Sequence, residues 1–172
     1  MVSQDRDRSN FIVFPPLLLL VTIALPCLLQ WFFPLGLLTT IDLRWRAVAG
    51  GLLLAAGVAL SIVGGRALVR RGTNVNPLLP TLALAADGIF GWTRNPMYVG
   101  GGLLMLGIAV VFGIDWLPLV MVPSGLLLHF GIVRREEQYL AGKFGEEYRR
   151  YCAQVPRYFP GLAPGHHQES LR

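Results

Sequence analysis

Hydrophobic positions in this chain gather into four long runs, Phe11 to Phe33, Ala47 to Leu68, Met97 to Gly113 and Trp116 to Val133, separated by shorter polar stretches. The first two reach the ~20 residues that a membrane-spanning helix needs, and the last two, near the lower limit, predict a tight helical hairpin. After Val133 the pattern changes. His129, Val133, Glu136 and Leu140 fall on one helical face, and Phe144, Tyr148 and Tyr151 prolong that stripe, which predicts an amphipathic helix leaving the bilayer with a break near Gly142 or Gly145. The pattern therefore predicts an all-α integral membrane protein with about four transmembrane helices, the last two a short hairpin, followed by a C-terminal amphipathic helix.

Small and rigid residues refine this outline. Gly50, Gly57 and Gly64 recur every seven residues on one face of the second run, and Ser61 continues that face, a spacing that lets two helix backbones approach closely. Between Gly72 and Asn95 the chain turns to Asn, Thr, Pro and Gly, including Asn74, Asn76, Pro77 and Pro80. This is turn chemistry, and a connector of that length without periodicity is more often functional than a mere link. Pro96 suits the first position of the third helix, where its missing N–H has no intrahelical partner to lose. Gly100, Gly101 and Gly102 follow, and glycines inside a helix call for close approach by a neighbouring helix or a flat ligand. The chain reads as one membrane domain, 1–172, with an N-terminal two-helix hairpin at 11–71, a core at 72–160 and a disordered tail at 161–172.

The composition agrees with lipid as solvent, since 53% of residues are hydrophobic and only 15% charged. Four spans would put the N-terminus, the loop between the second and third spans and the C-terminus on one side, and that side carries 13 of the 15 basic residues. The excess predicts cytoplasmic termini and a cytoplasmic C-terminal helix, in a bacterial inner membrane. Because the cations flank spans rather than forming one face of a soluble fold, nucleic acid is not the expected partner. Cys27 and Cys152 are too far apart along this topology to pair, and no Cys/His spacing suggests a metal site. The Ala24-Leu25-Pro26-Cys27 stretch has proline beside the cysteine and no small-residue cleavage site, so the first run is taken as a span rather than a cleaved signal.

Candidate chemistry is concentrated in two places, at the start of the third span and at the end of the fourth. Arg94, Asn95, Pro96 and Tyr98 open one helix, while Glu136 and Glu137 stand where the other leaves the membrane. Two carboxylates facing an arginine, an amide and a phenol suit a polar cofactor such as S-adenosylmethionine. Its carboxylate can pair with arginine, its ammonium and ribose hydroxyls with glutamates, and its sulfonium with aromatic faces. The same residues could instead form rim salt bridges among Glu136, Glu137, Arg94, Arg134 and Arg135. His129, inside the fourth span, is expected to be a neutral histidine hydrogen-bonded to another helix.

Taken together, Gly88 with Arg94-Asn95-Pro96-Met97-Tyr98-Val99-Gly100, then Glu136-Glu137, Leu140, Phe144-Gly145, Tyr148, Tyr151 and Val155-Pro156-Arg157, resemble the isoprenylcysteine carboxyl methyltransferase and phospholipid methyltransferase superfamily. The resemblance covers Thr73 to Pro160. It implies an S-adenosylmethionine-dependent membrane methyltransferase whose acceptor is an isoprenylcysteine-type carboxylate or related lipid. It further implies that Asn95, Tyr98, Glu136 and Glu137 enclose the cofactor, with Arg94, Pro96, Gly100 and Tyr148 as further motif positions. Glu137 would orient the acceptor or take its proton, and Arg157 would sit near the acceptor. Two departures stand out, Asn95 where the family often has histidine and Ile89-Phe90-Gly91 where Pro-Tyr-Arg is common. The first favours hydrogen bonding over proton transfer at that position. An NADPH-dependent sterol- or enone-type reductase shares a similar helix start and tail and is the alternative enzyme; a non-catalytic four-span scaffold is the alternative without chemistry.

Overall fold

The computed structural model describes residues 12–76 and 78–159, and every regular element among them is helical. Arg6 and Arg8 of the charge argument, and the tail expected at 161–172, lie outside the described residues. Helix α1, Pro15–Phe32, begins on two prolines, whose fixed backbone angle suits a helix start. A 3₁₀ turn, Leu38–Thr40, leads to α2, Leu43–Arg70, where the Asp42 side chain caps the helix by accepting from the Arg44 N–H at 2.8 Å. Helix α3, Pro96–Phe112, starts at the predicted proline and stops at Gly113, whose φ of 69° lets the chain turn back at once into α4, Trp116–Leu128. This is the expected hairpin.

The fourth apolar run does not end in a break. It passes through a π-helical turn, His129–Val133, straight into α5, Arg134–Gln154. From Trp116 to Phe144, before the interruption, the helix is roughly 43 Å long at 1.5 Å per residue, longer than the ~30 Å hydrocarbon core. Nine charged residues lie between Arg134 and Arg150, so the apolar character ends with the π turn and α5 is the charged part of this helix. The interruption comes at Gly145, at φ 55° and ψ −126°, one of the two glycines expected to break the helix.

Three helices, α1, α2 and the α4–α5 continuation, are long and apolar enough to cross a membrane, and α3 is a shorter apolar helix of 17 residues. Their outward faces carry exposed leucine, valine and phenylalanine, such as Leu20, Leu52, Val122 and Leu126, a surface that belongs in lipid. The helices do not pair in chain order. Helix α2 packs along α3 and α1 packs on α4, whereas α1 and α2 touch little.

The α2–α3 contact is a glycine seam. A Cβ on Gly57 would lie 2.7 Å from the Gly100 carbonyl oxygen, and one on Gly100 would lie 2.9 Å from the Gly57 carbonyl oxygen. Gly50 and Gly107 repeat the arrangement one heptad away, with 2.9 Å in each direction. The clustered buried side chains lie at the other end of the molecule, where Phe90 and Ala85 of the loop meet Tyr148, Tyr151 and Val155. That cluster fixes the loop between α2 and α3 against α5, and so brings the two candidate motifs together.

Candidate active site

The long loop is folded rather than loose. Thr73, buried, accepts from the Leu82 N–H through its hydroxyl at 2.8 Å, Asn74 donates to the Pro80 carbonyl at 2.7 Å, and the Thr81 N–H donates to the Tyr139 hydroxyl of α5 at 3.3 Å. A 3₁₀ turn, Gly88–Gly91, then presents the Phe90 carbonyl to the Tyr151 hydroxyl at 2.7 Å. Thr93, Arg94 and Asn95 follow, and all three grip the chain just after α5. The Arg94 N–H donates to the Pro156 carbonyl at 3.0 Å, while the Thr93 hydroxyl and Asn95 amide donate to the Arg157 carbonyl at 3.1 and 3.0 Å. Residues 155–158 thus form a strap across the mouth of α3. The Asn95 amide is committed to holding it.

The two glutamates have different partners. Glu137 receives Arg157 through Nε at 2.9 Å and Nη2 at 2.7 Å, and Arg94 Nη1 lies 3.0 Å from its Oε1. Two guanidinium groups therefore share one carboxylate, and the hydrogen bond to Glu137 raises the Arg157 pKa. Among the described residues Glu136 pairs with no cation. Its Oε2 accepts from the Tyr98 hydroxyl at 3.1 Å, and burial pushes its carboxyl above the ordinary range, the Tyr98 hydrogen bond opposing and the Glu137 charge adding to that rise. Of the rim salt bridges weighed from the sequence, the Arg94–Glu137 pair is present, with Arg157 as a second cation.

These groups surround a cavity of about 140 Å³ between the loop, α3 and α5. Arg94, Asn95, Pro96, Tyr98, Glu136, Glu137 and Tyr148 all line it. Gly100 does not: it faces α2, where a Cβ would come within 2.5 Å of the Ser61 hydroxyl. Arg157 stands outside the lining and reaches the site through Glu137. A second cavity, about 490 Å³ and almost wholly apolar, lies between α1, α3 and α4, walled by Leu18, Leu19, Met105, Met121 and Leu128 with Gly101 and Gly102. Asn76, Met97 and Tyr98 border both spaces.

Residues 45–147 match the phospholipid methyltransferase family, well over half of the chain. The chain belongs to that family. No curated protein matches it. The matched region runs from the start of α2 into α5, so it contains the glycine seam, the loop, Arg94 to Tyr98 and both glutamates, while α1, Tyr148 and the strap lie beyond it. Membership places the chain among membrane methyltransferases acting on lipid-type substrates.

Several contacts of the site carried no recognisable signal in the sequence. Cys152 accepts a hydrogen bond from Arg94 Nη1 at 2.7 Å, and His129 meets the Tyr158 hydroxyl at 2.9 Å, tying the strap back to the π turn. The histidine was expected to bond another helix; its partner is the strap. Asn74 and Asn76 were legible as turn formers and nothing more. Among the described residues no cluster of His, Cys, Asp and Glu could hold a metal ion.

Proposed function

We propose that this protein transfers a methyl group from S-adenosylmethionine to the amine of a membrane lipid, with the cofactor in the polar cavity and the lipid chain in the apolar one. The observation that carries the reading is the pair of cavities that share Tyr98 in their walls, its hydroxyl bonded to Glu136, the glutamate that pairs with no cation among the described residues.

The donor set fits the cofactor. Arg94 Nε is buried without an acceptor, beside carboxylates, amides and Tyr148 that line the same space. Arg94 just before α3, Tyr98 from α3, Glu136 and Tyr148 from α5 and the loop segment Ala83 to Ala85 would hold it. The enclosed 140 Å³ is below the roughly 300–1,000 Å³ usual for small-molecule sites, so binding displaces loop or strap outward. When bound, the cofactor supplies a methyl group already activated on a sulfonium.

The residues then have three tasks. The apolar cavity holds the lipid so that its head group meets Tyr98, which replaces a bimolecular encounter by a positioned one. The dry walls exclude water. Methylating an ammonium head group releases one proton, and Glu136, with its raised pKa, is the carboxylate placed to take it through the Tyr98 hydroxyl. Glu137, expected from the resemblance to serve the acceptor, is assigned here to anchoring the strap, because two arginines already neutralise it. The same geometry disfavours a carboxylate acceptor, since Arg94 and Arg157 are both engaged and Glu136 would repel it.

In this reading the chain is one domain with four spans, α3 among them, and α5 and the polar cavity lie on the cytoplasmic side with both termini. Incubating the detergent-purified protein with methyl-labelled S-adenosylmethionine tests the acceptor directly. Label should appear on phosphatidylethanolamine from vesicles and not on S-farnesylcysteine. Label on the farnesylated carboxylate instead would overturn the amine assignment, and label on neither would overturn the function.

A further inference from the structure

We propose that Asn76 contacts the acceptor, donating from its side-chain amide to a head-group phosphate or ester oxygen of the lipid where the two cavities meet. The inference rests on the proposed function and adds a recognition residue to it.

Asn76, Met97 and Tyr98 are the residues that border both the polar and the apolar cavity. A molecule with its chain in one and its reactive end at the other would lie beside them. Met97 offers only a thioether, and the Tyr98 hydroxyl already donates to Glu136. Asn76 is different. Its Oδ1 accepts from the Leu78 N–H at 2.9 Å, closing a local turn, and that bond fixes the side chain with its Nδ2 pointing elsewhere. Asn74, two residues earlier, spends its own Nδ2 on the Pro80 carbonyl at 2.7 Å, whereas Asn76 Nδ2 has no hydrogen bond among the described residues. The residue is exposed, so the donor is open to a ligand from outside the protein.

The placement fits a phospholipid. The apolar cavity has methionine, leucine, proline and glycine walls, with Thr22, Ser124, Asn76 and Tyr98 as its polar side chains. Thr22 spends its hydroxyl proton on the Leu18 carbonyl at 2.7 Å. A lipid with its chain between α1, α3 and α4 and its amine at Tyr98 would carry its phosphate or ester oxygens past the loop, where Asn76 supplies a neutral donor. A neutral amide suits this place better than a cation, which would compete with the amine for Glu136.

The two halves of the Asn76 side chain can be separated by substitution. Asn76→Asp keeps an oxygen for the Leu78 N–H and removes the donor, while Asn76→Ser keeps a shorter turn-forming oxygen without added charge. Two measurements are made on the full-length protein in detergent. Native mass spectrometry reads retention of added phosphatidylethanolamine, and methyl transfer to vesicles of that lipid reads KM and kcat. The expected result is a tenfold or greater rise in acceptor KM for Asn76→Asp, a smaller rise for Asn76→Ser and reduced lipid retention in both. The melting temperature and its increase on adding S-adenosylhomocysteine should stay at wild-type values. Acceptor KM and retention within twofold of wild type would overturn the inference, and so would a parallel loss of S-adenosylhomocysteine stabilisation, which would make Asn76 a cofactor or folding residue. If wild type retains the lipid in an Asn76-dependent way but transfers no methyl group, the proposed function fails and the lipid contact stands.

Discussion

Replacing Gly57 by alanine tests whether the α2–α3 seam sets the geometry of the site. The added methyl carbon would lie 2.7 Å from the Gly100 carbonyl oxygen, 2.8 Å from Leu104 Cγ and 2.9 Å from the Leu104 nitrogen. Two of those three atoms are backbone, so no rotamer change relieves the clash. Reaching an ordinary contact of ~3.5 Å requires the helices to part by roughly 0.8 Å, and a gap of that order forfeits a quarter to a half of each dispersion contact along the seam. Overpacking of this kind costs about 1–3 kcal/mol. The expected cost for Gly57→Ala is at the upper end, since Gly50 and Gly107, one heptad along, resist the same displacement.

The internal control is Gly51→Ala, six residues earlier on the same helix, where a Cβ would meet nothing within 4 Å. It should be neutral or slightly stabilising, because alanine is the better helix former by roughly 0.5–1 kcal/mol. Unfolding both variants in mixed micelles with increasing denaturing detergent gives the comparison. Gly57→Ala should also weaken S-adenosylhomocysteine stabilisation, because Tyr98 stands on the same stretch of α3 as Gly100 and must keep its 3.1 Å contact with Glu136. Equal midpoints for the two alanine variants would refute the reasoning.

Glu136→Gln should abolish methyl transfer while leaving the protein as stable as wild type, or more so, at neutral pH. The folded protein holds the Glu136 proton more tightly than the unfolded chain does, so ionisation removes stability as pH rises from the ordinary carboxylate range through the raised folded pKa; glutamine has no such penalty and can still accept from Tyr98. The stability gap should close in acid, where both states of the wild type are protonated, and a melting curve that falls equally at pH 4 and pH 7 would contradict the burial argument. At the opposite end of the bundle, Asp115 accepts from the Gly36 N–H at 2.8 Å and the Leu38 N–H at 2.7 Å, stapling the α1–α2 loop to α4. Asp115→Ala should cost about 2–3 kcal/mol by stripping both donors of their partner, leave methyl transfer intact and be partly rescued by asparagine; an equal loss in the alanine and asparagine variants would count against the staple.

The helices were legible because the length of an apolar run and the position of a proline are local quantities. The same is true of the glycine face on α2. Gly100 and Gly107 carry the same seven-residue signal on α3, and the match of that spacing to Gly50 and Gly57 made the helix contact legible even though Gly100 sits inside a motif of polar residues. The strap was not legible, since its bonds join Thr93, Arg94 and Asn95 to residues more than 60 positions later, and those segments meet only in the fold, through the packing of Phe90 on Tyr148 and Tyr151 and the loop's hydrogen bonds to α5.

The hardest distinction lay between two identical neighbours. Adjacent residues on an α-helix point about 100° apart, so Glu136 and Glu137 cannot serve the same partner. Which one turns toward α3 and which toward the strap depends on the rotation of α5, and that is set by continuity through the π turn from a helix whose apolar face is already fixed against α1 and α3. A π turn adds a residue to one helical turn and so shifts every later side chain around the axis. Without it, both carboxylates would be rotated away from their present partners, and Arg157 would have to find another anion. The chemistry of the Glu136–Glu137 pair is therefore decided about five residues before the pair itself, in a mostly apolar stretch where His129 stands out in the sequence but the change of helical pitch does not.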